Sequence, residues 1–131
     1  MNPAIFLFGE AEKGELGVPI EFKSLPQLLE ILGHPREESI GVQYAIQTLL
    51  FKRDLIFCRV EEEGFSTKDY IKGLNFLKAK YLTPKLQAIS IPGVGDQDVI
   101  ETAMSLCLLN KSLLILTEKD LYDYLTHYKP T

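Results

Sequence analysis

No apolar run in this chain approaches the roughly eighteen residues that a membrane-spanning helix requires, which excludes a helical membrane protein. The apolar opening Ala4–Phe8 is only five residues long and has neither a basic stretch before it nor a cleavage site after it, so it reads as a strand and not as a signal peptide. Positive charge is in the minority: 14 Lys and Arg stand against 18 Asp and Glu, a net charge of −4. That balance gives no electrostatic reason to expect nucleic acid or an acidic membrane surface as a partner. Cysteine is scarce, with two in all. Cys58 and Cys107 both sit inside apolar runs, where a buried reduced thiol is the common outcome, so a disulfide framework is not expected and a cytoplasmic setting is. The two histidines, His34 and His127, have no companion at metal-ligand spacing, and no metal is expected. Internal repeats, low-complexity tracts and linkers are also lacking, which predicts one domain over residues 1–131.

What is present is an alternation of apolar strands and amphipathic helices. The 131 residues are 46% hydrophobic and 24% charged, as in an ordinary globular protein. Strands are predicted at residues 4–8, 54–60, 87–91 and 112–116, with a short fifth at 20–23. Ser24 and Gln27 form an N-cap pattern with Pro26 in the first turn, Leu28, Leu29 and Leu32 supply the buried stripe, and Gly33 and Pro35 stop that helix. Ser39 is the expected cap of a second helix with Val42, Ala45, Ile46, Leu49 and Leu50 inward, closed by Lys52 and Arg53 where the helix dipole favours cations. Ser66 and Asp69 open a third helix whose inner face is Tyr70, Ile71, Leu74, Leu77 and Tyr81, and Thr83–Pro84 ends it. Asp98 with Glu101 reads as the capping box of a fourth, running to about Asn110 with Val99, Ile100, Ala103, Met104 and Cys107 inward. Thr117 and Asp120 open the last helix, through about Tyr128. Strands joined by helices of this length imply crossovers in a mostly parallel sheet of four to five strands with helices on both faces, a three-layer α/β domain.

In such a sheet ligands collect at the carboxyl ends of the strands, which draws attention to the loop after Ile91. Gly93 and Gly95 would let backbone approach an anion at the helix start, and with Asp96 they are the candidate binding residues for a nucleotide or phosphate. The segment has neither a GxGxxG nor a GxxxxGK[ST] pattern, and Asp96 and Asp98 place negative charge where a phosphate would sit. The turn therefore reads mainly as helix-start architecture, and no cofactor is expected. The first loop, Gly9–Gly17, carries Glu10, Glu12 and Glu15 around a single Lys13 and reads as an exposed connection, with partner contact as its functional alternative. Glu61–Glu63 reads as a solvated strand end. Cys58 is a core thiol, since Arg59 points to the opposite face and no base accompanies it. No catalytic constellation emerges, so the chain is expected not to be an enzyme.

Three ordered stretches share the wording of one family. Gly9, Ala11, Lys13, Gly14, Pro19, Ser24 and Gly33 match a "G-x-A-x-K-G" loop followed by a short strand and helix. Tyr44, Ala45, Gln47, Phe51, Arg59 and Val60 match a helix running into a "vyvvRV" strand. Ala88, Ile91, Pro92, Gly93, Val94 and Asp96 match an "aIPGv-D" segment. Over about residues 4–116 the chain resembles the α/β core of contractile tail sheath proteins from phages and related particles. The resemblance implies a non-enzymatic structural building block whose copies stack in rings around a tube, with protein partners that include further copies of itself and a place in a virion or particle. Sheath subunits also have an N-terminal arm and a C-terminal domain that extend neighbouring subunits' sheets. The present chain is expected to correspond to the core without either, and after Leu116 it departs from the family with the helical TEKDLYDYLTHY.

Overall fold

The computed structural model describes residues 3–34 and 39–127. Five strands, β1 (Ala4–Gly9), β2 (Pro19–Phe22), β3 (Asp54–Arg59), β4 (Leu86–Ser90) and β5 (Leu113–Ile115), alternate with five helices: α1 (Leu25–Leu32), α2 (Gly41–Leu50), α3 (Thr67–Lys80), α4 (Gln97–Asn110) and α5 (Glu118–His127). The strands form one sheet in the order β2-β3-β1-β4-β5. All neighbours run parallel except β2, which pairs antiparallel with β3. The expected three-layer α/β domain is therefore what the chain forms.

Period-two alternation divides the strand side chains between two cores. Phe6, Phe8, Ile56, Cys58, Ile89 and Ile91 face α3 and α4, meeting Tyr70, Leu74, Leu77, Val99, Ala103 and Cys107. Ile5, Leu7, Leu55, Phe57, Ala88 and Ile115 face α1, α2 and α5, meeting Leu28, Val42, Tyr44, Leu121 and Leu125. Strands β1 and β3 are covered on both sides, which is why they read as unbroken apolar runs. Helix α3 approaches the sheet through Gly73: a Cβ there would lie 2.6 Å from Cys58 Sγ and would also overlap the Phe8 ring.

The helix starts follow the sequence in part. Ser24 Oγ accepts from the Gln27 N–H, Pro26 sits in the first turn, and Gly33 takes φ +81° to end α1. The Pro35 stop and the Tyr128 helix end lie outside the described residues. Thr117 and Asp120 form a reciprocal capping box at α5. Three expectations are corrected. Asp96, not Asp98, caps α4: its carboxylate accepts from the Val99 N–H at 3.0 Å, while Asp98 falls in the first turn and Glu101 accepts from the Gln97 side chain. Ser39 is buried but supplies no cap to α2, whose N-cap position is Ile40. Ser66 takes the N-cap position of α3 as expected, but its hydroxyl and the Asp69 carboxylate accept from the Glu62 and Glu61 N–H groups, fastening the preceding turn in place of side-chain capping bonds to the helix.

Two inward assignments are corrected as well. Met104 of α4 is 46% exposed and Leu106 takes a buried place, while Leu50 of α2 projects outward and Thr48 and Tyr44 are buried. Both follow from the phase of the helix: a stripe about 100° wide holds three or four residues per two turns, and the sequence offered more apolar candidates than the stripe can hold.

Candidate functional site

The order of the strands places a topological switch point between β1 and β4. From β1 the chain leaves toward β3 over one face, and from β4 it leaves toward β5 over the other, so the crevice at the carboxyl ends of these two strands is where a ligand would enter. The sequence places Gly93, Gly95 and Asp96 here, and the structure does the same. Gly93 has φ +78°, and a Cβ added to it or to Gly95 would meet nothing within 4 Å, so this turn is open to solvent. The Asp96 carboxylate occupies the N-terminus of α4, the position an incoming anion would take.

The neighbouring helix start is filled in the same way, by a residue the sequence placed elsewhere. Glu63 is not a solvated strand end. Its Oε1 accepts from the backbone N–H groups of Glu10 at 2.9 Å and Gly41 at 2.6 Å, and its Oε2 accepts from Ile40 at 2.9 Å. The carboxylate thus satisfies the orphan donors at the start of α2 and ties that helix to the end of β1. Gly9 and Gly41 permit this closeness, because a Cβ on Gly9 would lie 2.5 Å from the Gly41 Cα and 2.9 Å from Glu63 Oε1. The loop continues across the crevice: a Cβ on Gly64 would lie 2.5 Å from the Gly93 carbonyl oxygen, and the Gly64 N–H donates to the Tyr70 hydroxyl at 2.8 Å. Burial pushes the Tyr70 hydroxyl well above its ordinary range, against the lowering effect of that hydrogen bond, so it stays protonated. No short-range signal marks Glu63, because its partners lie 22, 23 and 53 residues away.

The loops at this end of the sheet are strongly acidic. Glu10, Glu12 and Glu15 follow β1, Glu61, Glu62 and Glu63 follow β3, Asp96 and Asp98 precede or open α4, and Glu118 and Asp120 open α5, against Lys13, Arg59, Lys68, Lys72 and Lys119. The buried Tyr44 registers the field. Its hydroxyl is raised by burial first and then by Glu118, Glu63 and Asp120. A phosphate would meet repulsion and two helix starts already occupied. The first loop is fastened and not free along its length. The Lys13 N–H donates to the Leu32 carbonyl at 3.0 Å and Gly17 N–H to Arg59 at 2.8 Å, while the Arg59 guanidinium donates to Gly14 and Lys72 Nζ to Leu16. Residues 12–15 remain exposed.

Reactive groups elsewhere are quiet. Both thiols are buried, and burial pushes Cys58 up to about 12 and Cys107 up to about 11, so neither is a thiolate near neutral pH. Among the described residues no group of three or more His, Cys, Asp or Glu could hold a metal ion, and no helix is long and apolar enough to cross a membrane.

The sheet has two edges, β2 and β5, and the β5 side is an open one. β5 pairs with β4 alone and forms one edge of the sheet. The Ile91 N–H donates to the Ile115 carbonyl at 3.0 Å, so Ile115 turns its backbone groups toward β4, and the alternation of a parallel ladder turns those of Leu114 outward. Leu113 is 44% exposed on this strand. On α4, which packs against β4 and β5, Leu108 and Leu109 are 77% and 70% exposed. A groove of about 410 Å³ runs between β5 and α5. Leucines at two consecutive helix positions were legible in the sequence, but their exposure was not, because only the phase of α4 against the sheet decides it.

Comparison of the chain with protein-family models, with curated proteins and with solved structures finds no match.

Proposed function

We propose that this chain is a non-enzymatic protein-interaction module of the kind represented by the contractile tail sheath core, and that it docks a partner protein along the β5 edge. The observation that carries the proposal is the uncovered edge itself: outward backbone groups at Leu114 next to the exposed Leu113, on a strand packed by α4, the helix that carries the exposed Leu108 and Leu109. An added strand gains ladder hydrogen bonds along this edge, and each leucine it fully covers contributes about 1.5–3 kcal/mol. Two further observations support it. The place where an α/β sheet holds small ligands is filled by the chain's own Glu63 and Asp96 carboxylates. The residues that carry the sheath resemblance, Gly9 through Asp96, include several with clear local work, such as the Arg59 side chain holding Gly14 and Asp96 capping α4.

Size-exclusion chromatography with light scattering, on the chain alone and mixed with purified tail tube, sheath and baseplate subunits, tests the proposal. A higher-mass species with one of these subunits, or self-assembly, is the expected result. A monomer that forms no complex with any of them contradicts it.

A further inference from the structure

The β5 edge is flanked by a groove whose two sides differ in chemistry, and that difference specifies a partner. The groove is lined by Leu113, Leu114 and Ile115 of β5 and by Asp120, Asp123, Tyr124 and His127 of α5. Asp120 is held in place, its Oδ2 accepting from the Leu116 and Thr117 N–H groups at 3.1 and 3.2 Å, so its charge is fixed beside the end of the strand. Lys119 lies 4.0 Å from Asp123 with both side chains mostly exposed, a pairing worth little that leaves the carboxylate available. Glu118 and the other acidic loops at this end of the sheet add to the negative field.

We infer that the docking partner is an extended segment that alternates basic and apolar side chains, laid against β5 with its lysines or arginines in the α5 groove. This rests on the edge-docking function proposed above and narrows it to a partner chemistry. A strand added beside β5 presents every second side chain to the groove. A lysine or arginine there reaches Asp120 and Asp123 while its aliphatic stem lies along the exposed Leu113. A glutamate in the same place is repelled. The intervening side chains turn to the opposite face of the sheet, the side on which α4 packs against β5 and Leu114 and Leu116 join the apolar core, and that surface selects apolar residues.

The test uses two fluorescently labelled ten-residue peptides, one alternating lysine with valine and one alternating glutamate with valine, titrated with the full chain and followed by anisotropy. Binding of the lysine–valine peptide is expected to be at least about tenfold tighter than that of the glutamate–valine peptide. It should weaken severalfold in the charge-reversed variant Asp123→Lys, and fall again as salt is raised. Leu114→Pro, which removes an outward N–H while the Ile115–Ile91 bond is kept, should abolish it, with circular dichroism confirming that each variant is folded. Equal binding of the two peptides, or no effect of Asp123→Lys, overturns the basic-segment inference. If Leu114→Pro then still abolishes both, docking at the edge survives without charge selection. Binding of either peptide that is indifferent to Leu114→Pro counts against the edge as well, and failure of both peptides to bind overturns the basic-segment inference while leaving the edge to the subunit-mixing experiment.

Discussion

Glu10 and Glu63 exchange hydrogen bonds: the N–H of Glu10 donates to Glu63 Oε1, and the N–H of Glu63 donates to Glu10 Oε2, each at 2.9 Å. This reciprocal pair joins the ends of β1 and β3 and, through Glu63, holds the start of α2. Removing the Glu63 side chain leaves three N–H groups without their acceptor. Hydrogen bonds to a charged group are worth about 1.5–3 kcal/mol, and water replaces part of what is lost at this half-buried position. Glu63→Ala is therefore expected to lower stability by about 2–4 kcal/mol in urea unfolding, and Glu63→Gln, which keeps one acceptor oxygen, by about half as much. Equal stability of wild type and Glu63→Ala would show that the carboxylate is dispensable.

Gly73 offers a second test, in which two opposing effects are weighed. An alanine gains about 1 kcal/mol of helix propensity. Its Cβ would also overlap the Phe8 ring and lie 2.6 Å from Cys58 Sγ, and overpacking a core costs about 1–3 kcal/mol. The clash is with β1 and β3, the two central strands, so the overpacking should win and thermal unfolding of Gly73→Ala should occur several degrees lower. Gly95→Ala is the control: its Cβ meets nothing, and the melting temperature should hardly move.

The buried thiols predict the alkaline behaviour. Burial raises Cys58 from 9.0 to about 12 and Cys107 from 9.0 to about 11 in the folded chain. Below pH 9 both folded and unfolded forms keep these protons, and the full stability is present. Above it the unfolded chain releases them while the folded chain holds them, so stability falls as pH rises, until about 11 for Cys107 and about 12 for Cys58. Urea midpoints should be flat from pH 7 to 8.5 and decline above 9. In a Cys58→Ala, Cys107→Ala double variant the decline between pH 9 and 10 should be shallower, since tyrosines such as Tyr70 begin to contribute only from about pH 10 upward. An unchanged slope in that variant would assign the effect to other groups.

How much of this was legible in the sequence depended on the distance over which each feature acts. The strand Ala4–Gly9 and the helix Thr67–Lys80 stood out because their patterns are complete within a few residues. The capping box of Thr117 and Asp120 spans three residues and was legible for the same reason. Glu63 was not, because its role depends on Gly41 and Glu10 arriving from other parts of the chain. Asp98 was preferred to Asp96 as the α4 cap because Glu101 completes a capping-box spacing with it, but the turn through Gly93 and Gly95 starts the helix two residues sooner. The candidate turn itself was placed correctly at the carboxyl end of β4, where the structure shows its carboxylate in use as a cap.

Leu108 and Leu109 separate surface function from stability. Both are exposed, so Leu108→Glu with Leu109→Glu should leave the unfolding free energy from urea titration within about 0.5 kcal/mol of wild type. The same double variant should lose complex formation with the partner, as covering each leucine contributes about 1.5–3 kcal/mol. A large loss of stability would mean that these side chains belong to the core.

Docking along β5 is tested most directly by hydrogen–deuterium exchange of the chain alone and in complex with a partner subunit. The outward amide of Leu114 should exchange readily in the free chain and become protected on binding, with Leu108 and Leu109 at the border of the protected surface. A complex that forms with no added protection across Leu113–Ile115, its footprint falling instead on the exposed loop at residues 12–15 or on another face, would contradict it.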